Sequence, residues 1–251
     1  MKLGAPFYPW REHVAIDLPG ARAVFTTRRG GFSGGPYESL NLGRMTDDDP
    51  ALVGRNRAAL QARVDGRLAM IRQVHGSRVL RITQADRITE ADADRLDLEE
   101  ADGQATARAG VAPMVLTADC LPIAVAGGGV VAMLHAGWRG LSGGIIDEGL
   151  RAVRELGGTE ALAAAIGPGA GRCCYEVGDE VRERFASGNA DVHRGGTLDL
   201  KAIARAQLER AGVAEVHDTG LCTICSPPEL FFSHRRDHGV TGRQAGVAWL
   251  T

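Results

Sequence analysis

At 251 residues, with 44% hydrophobic and 24% charged side chains, the chain is long enough to bury a sizeable core as one large domain or two small ones. A formal net charge of −2 removes any bulk electrostatic reason to bind nucleic acid or an anionic membrane surface. Aromatic residues make up only 5%, so Ala, Leu, Val and Gly must build the core, and five cysteines, an odd number, argue for reduced thiols over a disulfide framework.

The opening MKLGAPFYPWREH interrupts its apolar side chains with Pro6 and Pro9 and so lacks a signal-peptide core. No later stretch reaches the ~20 apolar residues of a membrane helix, so the expected location is the cytoplasm. Ala23 to Thr27 reads as a strand and runs into RRGGFSGGPYESLNLG. That segment either presents backbone N–H groups to an anion, with Arg28 adding charge and Ser39 or Asn41 adding hydrogen bonds, or is a long irregular connection. It is neither a P-loop nor a dinucleotide-binding turn. A helix is expected over Asp48 to Leu60, with Asp49 and Pro50 suiting its cap and first turn. Leu68 to Ile71 forms a strand leading to Gln73, Val74, His75 and Gly76, where a lone histidine is more often structural than a ligand. Ile82 to Glu100 reads as a solvated connection with some helix. Beyond it, Asp102 is either a surface carboxylate or one that orients a ligand histidine.

Leu116 to Leu141, LTADCLPIAVAGGGVVAMLHAGWRGL, is the stretch the chain is organised around. Two short apolar runs flank Gly127, Gly128 and Gly129, a connection that supplies the positive φ values of a tight hairpin. Pairing Ala126 with Val130 and counting outwards sets Leu121 opposite His135. Cys120 is then a diagonal neighbour of that histidine, roughly 5 to 8 Å away, near enough to share an ion or a proton. A helix follows from Leu141 to Leu156, stopped by Gly157 and Gly158. Arg139, near its start, suits either an anion or a carboxylate of the protein itself.

Ala161 to Ile166 is a further strand, and helices are expected around Asp179 to Phe185 and over Leu198 to Ala211. Adjacent Cys173 and Cys174 point different ways on any regular element, which argues against a shared metal. Cys222 and Cys225 form a C-x-x-C, but a structural zinc site needs four ligands and no second C-x-x-C exists, so a structural role is expected. Val213 to Val216 begins the last unit, and Val247 to Leu250 closes the chain as a strand. Arg235, Arg236 and Arg243, in FFSHRRDHGVTGR, either hold phosphate or pair with carboxylates.

QVHG, TADCLPIAV, HAGWRGL and FFSHRRDHGVTGR, in this order, resemble the peptidoglycan editing factor family, also labelled multicopper polyphenol oxidase (laccase-domain) and purine nucleoside phosphorylase. The resemblance runs from about Phe25 to Trp249. It implies a single domain over residues 1–251, an α/β or α+β fold with mixed sheets flanked by helices in α/β/β/α layers. It places His75 beside Cys120 and His135, and Arg28 and Asn41 in the site wall with Arg139. Similar proteins usually carry a histidine where this chain has Met45, so any role of that residue is absent or altered.

Two imidazoles and a thiolate suit zinc, whose catalytic sites keep a fourth position for water and lower its pKa towards ~7. The chemistry implied by the resemblance is phosphorolysis of purine nucleosides (adenosine, inosine, guanosine, methylthioadenosine) with phosphate as co-substrate, and adenosine deamination. The alternative is amide hydrolysis that removes misincorporated serine from a UDP-linked muramyl amino acid. A metal-free version makes Cys120 a nucleophile with His135 or His75 as its base. A non-catalytic metal-binding protein is the third class. Copper oxidase chemistry is not favoured, because the seven histidines include no H-x-H pair.

Overall fold

The computed structural model describes residues 2–84, 98–159, 161–185, 193–194 and 196–251. Most of the connection expected between Ile82 and Glu100 therefore lies outside the described residues. The first half of the chain contributes β1 (Tyr8–Trp10), β2 (His13–Leu18), β3 (Ala21–Phe25), α1 (Pro50–Gln61), β4 (Arg67–Ala69), β5 (Val79–Arg81), β6 (Gly103–Thr106) and β7 (Val111–Thr117). At the centre lie β8 (Leu121–Gly127), β9 (Val130–Ala136), α2 (Trp138–Ser142) and α3 (Ile145–Glu155). The remainder is β10 (Ala163–Ile166), α4 (Asp179–Phe185), β11 (His193–Arg194), β12 (Thr197–Leu198), α5 (Leu200–Arg210), β13 (Glu215–Asp218) and β14 (Gln244–Leu250).

Two six-stranded sheets, ordered β1-β2-β3-β14-β7-β4 and β13-β10-β8-β9-β6-β5, pack face to face. Both are mixed, since β4–β7, β5–β6 and β10–β13 run parallel and the other pairs antiparallel. Side chains alternate along a strand, and each strand divides its residues accordingly. Val14 and Ile16 of β2, Val115 of β7 and Ala248 of β14 meet Ala124, Ala126, Val131, Met133, Ala163 and Ala165 between the sheets. Ala15, Met114 and Val247 face the other way, onto Leu60 of α1. On the far side, Ile123, Val125, Ala132 and Leu134 pack under α3 and α5. The order of layers is α/β/β/α, with alanine filling the inter-sheet face that the scarce aromatics leave open.

α1 and α5 each begin at an aspartate cap. Asp49 accepts the Ala51 N–H at 2.8 Å with Pro50 in the first turn, and Asp199 accepts Ala202 N–H at 3.0 Å. The helix expected from Leu141 to Leu156 is two, α2 and α3, broken at Gly143 and Gly144. α3 buries Ile145, Ile146, Leu150 and Val153, each contributing ~1.5–3 kcal/mol. The hairpin register also differs from the expectation by one residue. Gly127 keeps its ladder position opposite Val130, and the turn is the two residues Gly128 and Gly129, at φ 58° and 74°. Pro122, not Leu121, is the partner of His135.

His13 is a buried exception to the apolar interior. Its Nδ1 accepts the Thr27 N–H at 3.2 Å, while Nε2 has no partner among the described residues. Burial pushes its pKa down to about 4. Between pH 6.5 and 4 the unfolded chain therefore binds the proton and the folded chain does not. About 3 kcal/mol of stability is lost as pH falls through that window, and none above it. The His13 imidazole signal in an NMR titration is expected to move only near pH 4; titration near 6.5 would contradict this.

Candidate active site

Three separate segments deliver His75, Cys120 and His135 to one point, with their ligand atoms within 4.8 Å of one another. His135 comes from the end of β9, and Cys120 from the turn that enters β8. His75 follows Gln73, whose side-chain amide bonds both N–H and C=O of Leu116, at 2.7 and 2.8 Å, and so fastens the QVHG segment to β7. The imidazoles of His75 and His135 meet edge to face, with ring centroids 4.8 Å apart.

Two of the supporting backbone positions are strained. His75 and Asp119 both take positive φ, 59° and 92°, in the left-handed region that costs a non-glycine residue roughly 1–2 kcal/mol. Buried carboxylates hold them there. Asp102 accepts the N–H groups of Val74, His75 and Gly76 at 3.2, 2.9 and 2.6 Å, and its Oδ1 lies 2.8 Å from His135 Nδ1. Asp119 accepts the Thr223 hydroxyl at 2.6 Å and the Arg235 N–H at 2.7 Å, which ties the turn before Cys120 to the C-terminal segment. Gly137 is needed for space, since a Cβ there would stand 2.8 Å from the Cys120 sulfur.

Asp102 is fully buried, which decides between the two readings its sequence left open. With Nδ1 engaged by that carboxylate, His135 turns Nε2 towards Cys120, the arrangement by which a carboxylate fixes a histidine's tautomer and direction. Burial alone would raise the Cys120 thiol, but the charge and hydrogen bond of His135, with a further hydrogen bond from His75, bring it down to about 6. Burial would likewise lower His135, yet the Cys120 thiolate and the Asp102 carboxylate raise it to about 9. Asp102 is depressed: burial opposes its ionisation, and His135 and the Gly76 N–H more than offset that. Both shifts act in one direction: without a metal they favour the thiolate–imidazolium form of the Cys120–His135 pair.

This group lies in a cleft of about 950 Å³ that, among the described residues, is lined by six arginines (Arg44, Arg57, Arg72, Arg139, Arg235, Arg243) against one carboxylate, Asp119, a balance that favours an anion. Arg139 lies over the Trp138 ring, 4.4 Å from its centroid. Tyr175 is also on the wall, its hydroxyl held protonated by burial and the nearby Cys120, with a pKa pushed up to about 12. Met45, 86% exposed, stands at the rim.

Of the expected wall residues only Arg139 reaches the cleft. The Arg28 guanidinium bonds the carbonyls of Glu38, Pro228 and Pro36 and stacks on Phe232, tying the N-terminal loop to the C-terminal segment. Asn41 is buried one step behind the wall, where its amide accepts the N–H groups of Gly43 and Arg243 and donates to Thr46 and Asp48. It shapes the loop carrying Arg44 and Met45. Within the final signature, Arg235 and Arg243 line the cleft, whereas Arg236 pairs with Asp237 at 2.7 Å.

The fold and site define a class: an α/β/β/α protein with a His–Cys–His group on the floor of a cationic cleft. The chain belongs to the family described as multi-copper polyphenol oxidoreductase laccase, whose model matches residues 22–251. It is similar to the purine nucleoside phosphorylase of Xylella fastidiosa strain Temecula1, 41% identical over 251 residues, covering 92% of this chain and 93% of that one. It is also similar to a purine nucleoside phosphorylase of Pseudomonas aeruginosa, 37% identical over 240 residues, covering 91% and 93%. Among solved structures, YlmD from Geobacillus stearothermophilus superposes with a TM-score of 0.88 at 35% identity, covering 97% of each chain. No helix among the described residues is long and apolar enough to cross a membrane.

Proposed function

We propose that the chain is a zinc-dependent purine nucleoside phosphorylase, acting on adenosine, inosine, guanosine and methylthioadenosine, with His75, Cys120 and His135 as the zinc ligands. The observation that carries this reading is the convergence of those three side chains on the floor of an arginine-lined cleft, in a chain whose relatives bear that name. Two imidazoles and a thiolate already poised to ionise are the donor set zinc takes, and three nitrogen and sulfur donors with no oxygen among them do not suit magnesium or calcium. When bound, the ion supplies a Lewis acid that stabilises negative charge developing in the transition state.

The chain's own residues do the rest. Arg139, Arg235 and Arg243 gather the phosphate dianion, and Asp119, the one acidic side chain on the wall among the described residues, is occupied by Thr223 and the Arg235 N–H. An oxygen of the hydrogen phosphate dianion attacks the anomeric carbon as the bond to the purine nitrogen breaks, giving the corresponding pentose 1-phosphate and the free purine, whose nitrogen takes up the proton that the phosphate brought. Tyr175, neutral near pH 7, offers an O–H donor to the wall side of the substrate. Asp102 holds His135 and the His75 backbone in place throughout. Hydrolytic deamination is a second reaction of adenosine in the same cleft, read by ammonia release.

One observation favours a second reading. Cys120, His135 and Asp102 are aligned as nucleophile, base and orienting carboxylate, and a cleft of about 950 Å³ has room for a nucleotide-linked substrate, so amide hydrolysis on a UDP-muramyl-serine is the alternative. Adenosine offered with and without phosphate, beside the UDP-muramyl-serine, separates them by product. Adenine formed only with phosphate supports the proposal; serine release with no purine product overturns it.

A further inference from the structure

A second sulfur cluster stands away from the three cleft ligands. The turn at Gly171–Tyr175 and the Cys222–Cys225 segment are held side by side by a parallel bridge between Gly169 and Cys222 and by the Thr223 N–H on the Gly169 carbonyl at 3.1 Å. Cys173 and Cys174 lie in that turn, not on a regular element, so adjacent residues here aim their sulfurs to the same side. This corrects the sequence expectation. The Cys173 sulfur is 3.5 Å from that of Cys174 and 3.4 Å from that of Cys225, and all four sulfurs, with Cys222, lie within 4.8 Å of one another. All are free thiols.

Four thiolates around a zinc ion at ~2.3 Å stand about 3.8 Å apart, inside the range seen here. The surrounding backbone is arranged for a sulfur that carries charge. Cys222 accepts the Gly171 N–H at 3.2 Å and further N–H groups from Ile224 and Cys225, so the C-x-x-C turn wraps its own amides around the first sulfur. Hydrogen bonds of this kind support a ligating thiolate and have little to stabilise in a neutral thiol. Among the described residues no carboxylate or imidazole joins the four sulfurs, and an all-sulfur tetrahedral set selects a soft ion and leaves no open position for water.

We infer that Cys173, Cys174, Cys222 and Cys225 bind a structural zinc ion, distinct from the cleft site and independent of what the cleft does. Its role is to clamp two segments that each supply the cleft: Tyr175 on its wall follows Cys174 directly, and Thr223, which anchors Asp119 before Cys120, follows Cys222. Cys173 and Cys225 are exposed, so the ion sits near the surface and both residues accept substitution without opening the core.

The test is zinc and iron content of untagged protein purified under reducing conditions, for wild type, Cys173→Ser, Cys225→Ser and Cys120→Ala. Each serine variant is expected to carry one zinc fewer than wild type, with turnover within a few-fold, while Cys120→Ala keeps this ion. Wild type with one zinc, lost in Cys225→Ser and kept in Cys120→Ala, still supports this site and instead removes the cleft zinc. Cobalt added to metal-depleted wild type should give the intense visible bands of tetrahedral thiolate coordination, absent in Cys225→Ser. Unchanged zinc in both serine variants, iron in place of zinc, or a Cys173–Cys225 disulfide in metal-free wild type each overturns the inference.

Discussion

Cys120→Ala should lose the cleft metal and drop phosphorolysis by ~10³-fold or more, the equivalent of about 4 kcal/mol of barrier. The thiolate is the only anionic donor among the three, and without it two neutral imidazoles hold zinc weakly. The fold should tolerate the change, because removing one partly exposed sulfur leaves the Asp102 and Asp119 networks intact. A second readout separates ligand from nucleophile. In metal-free protein the Cys120 thiol, brought down to about 6 chiefly by His135 against the opposing effect of burial, is ionised at pH 7 and should alkylate quickly. Bound to metal it should be protected. Equal alkylation rates before and after chelation, with activity unchanged, would show that no metal shields this sulfur.

Asp102→Ala carries the second large effect, on stability as much as on the site. It strips the acceptor from three N–H groups at Val74, His75 and Gly76 and from His135 Nδ1, in a fully buried place. Leaving such groups unpaired costs about 3–5 kcal/mol, enough to lower the melting temperature severely. Asp102→Asn keeps the shape but turns an N–H₂ towards donors on one side, and a loss of 10- to 100-fold in metal affinity is expected, the order seen when a carboxylate behind a ligand histidine is removed, ~1.4–2.7 kcal/mol. Calorimetric unfolding and competitive zinc titration of the Asn variant measure both. Wild-type values in each would mean that His135 orients itself.

Much of this architecture is visible in the chain's local chemistry, and what is hidden is non-local. The β8–β9 hairpin announces itself through two apolar runs and a glycine turn, and α1 through Asp49 and Pro50. Its register slips by one because three glycines permit either of two turns, and ladder pairing at Gly127 chooses between them. β6, reading GQAT, escapes any alternation rule because it is buried on both faces. The helix after the hairpin reads as one by its apolar spacing, since nothing in that spacing weighs two consecutive glycines.

The same division holds in the site. Cys120 and His135 are legible from the hairpin, whereas His75 needs the QVHG likeness, because Gln73 fixes it through Leu116, 43 positions away. Arg28 and Arg243 look alike in sequence, and the carbonyl of Pro228 and the ring of Phe232, about 200 positions downstream, with the nearer carbonyls of Pro36 and Glu38, turn Arg28 into a structural tie. The four-cysteine cluster is invisible for the same reason. Each pair is unremarkable alone, and the bridge from Gly169 to Cys222 makes them one group.

The fate of the glycosidic bond is the most direct test of the cleft chemistry. Phosphorus NMR of adenosine and inorganic phosphate with the zinc-loaded wild type should show phosphate converted to a sugar phosphate in step with adenine, and no conversion with Cys120→Ala. Phosphate left unchanged while adenosine is consumed would contradict phosphorolysis. Conversion at the same rate by protein stripped of metal would contradict the role given to His75, Cys120 and His135.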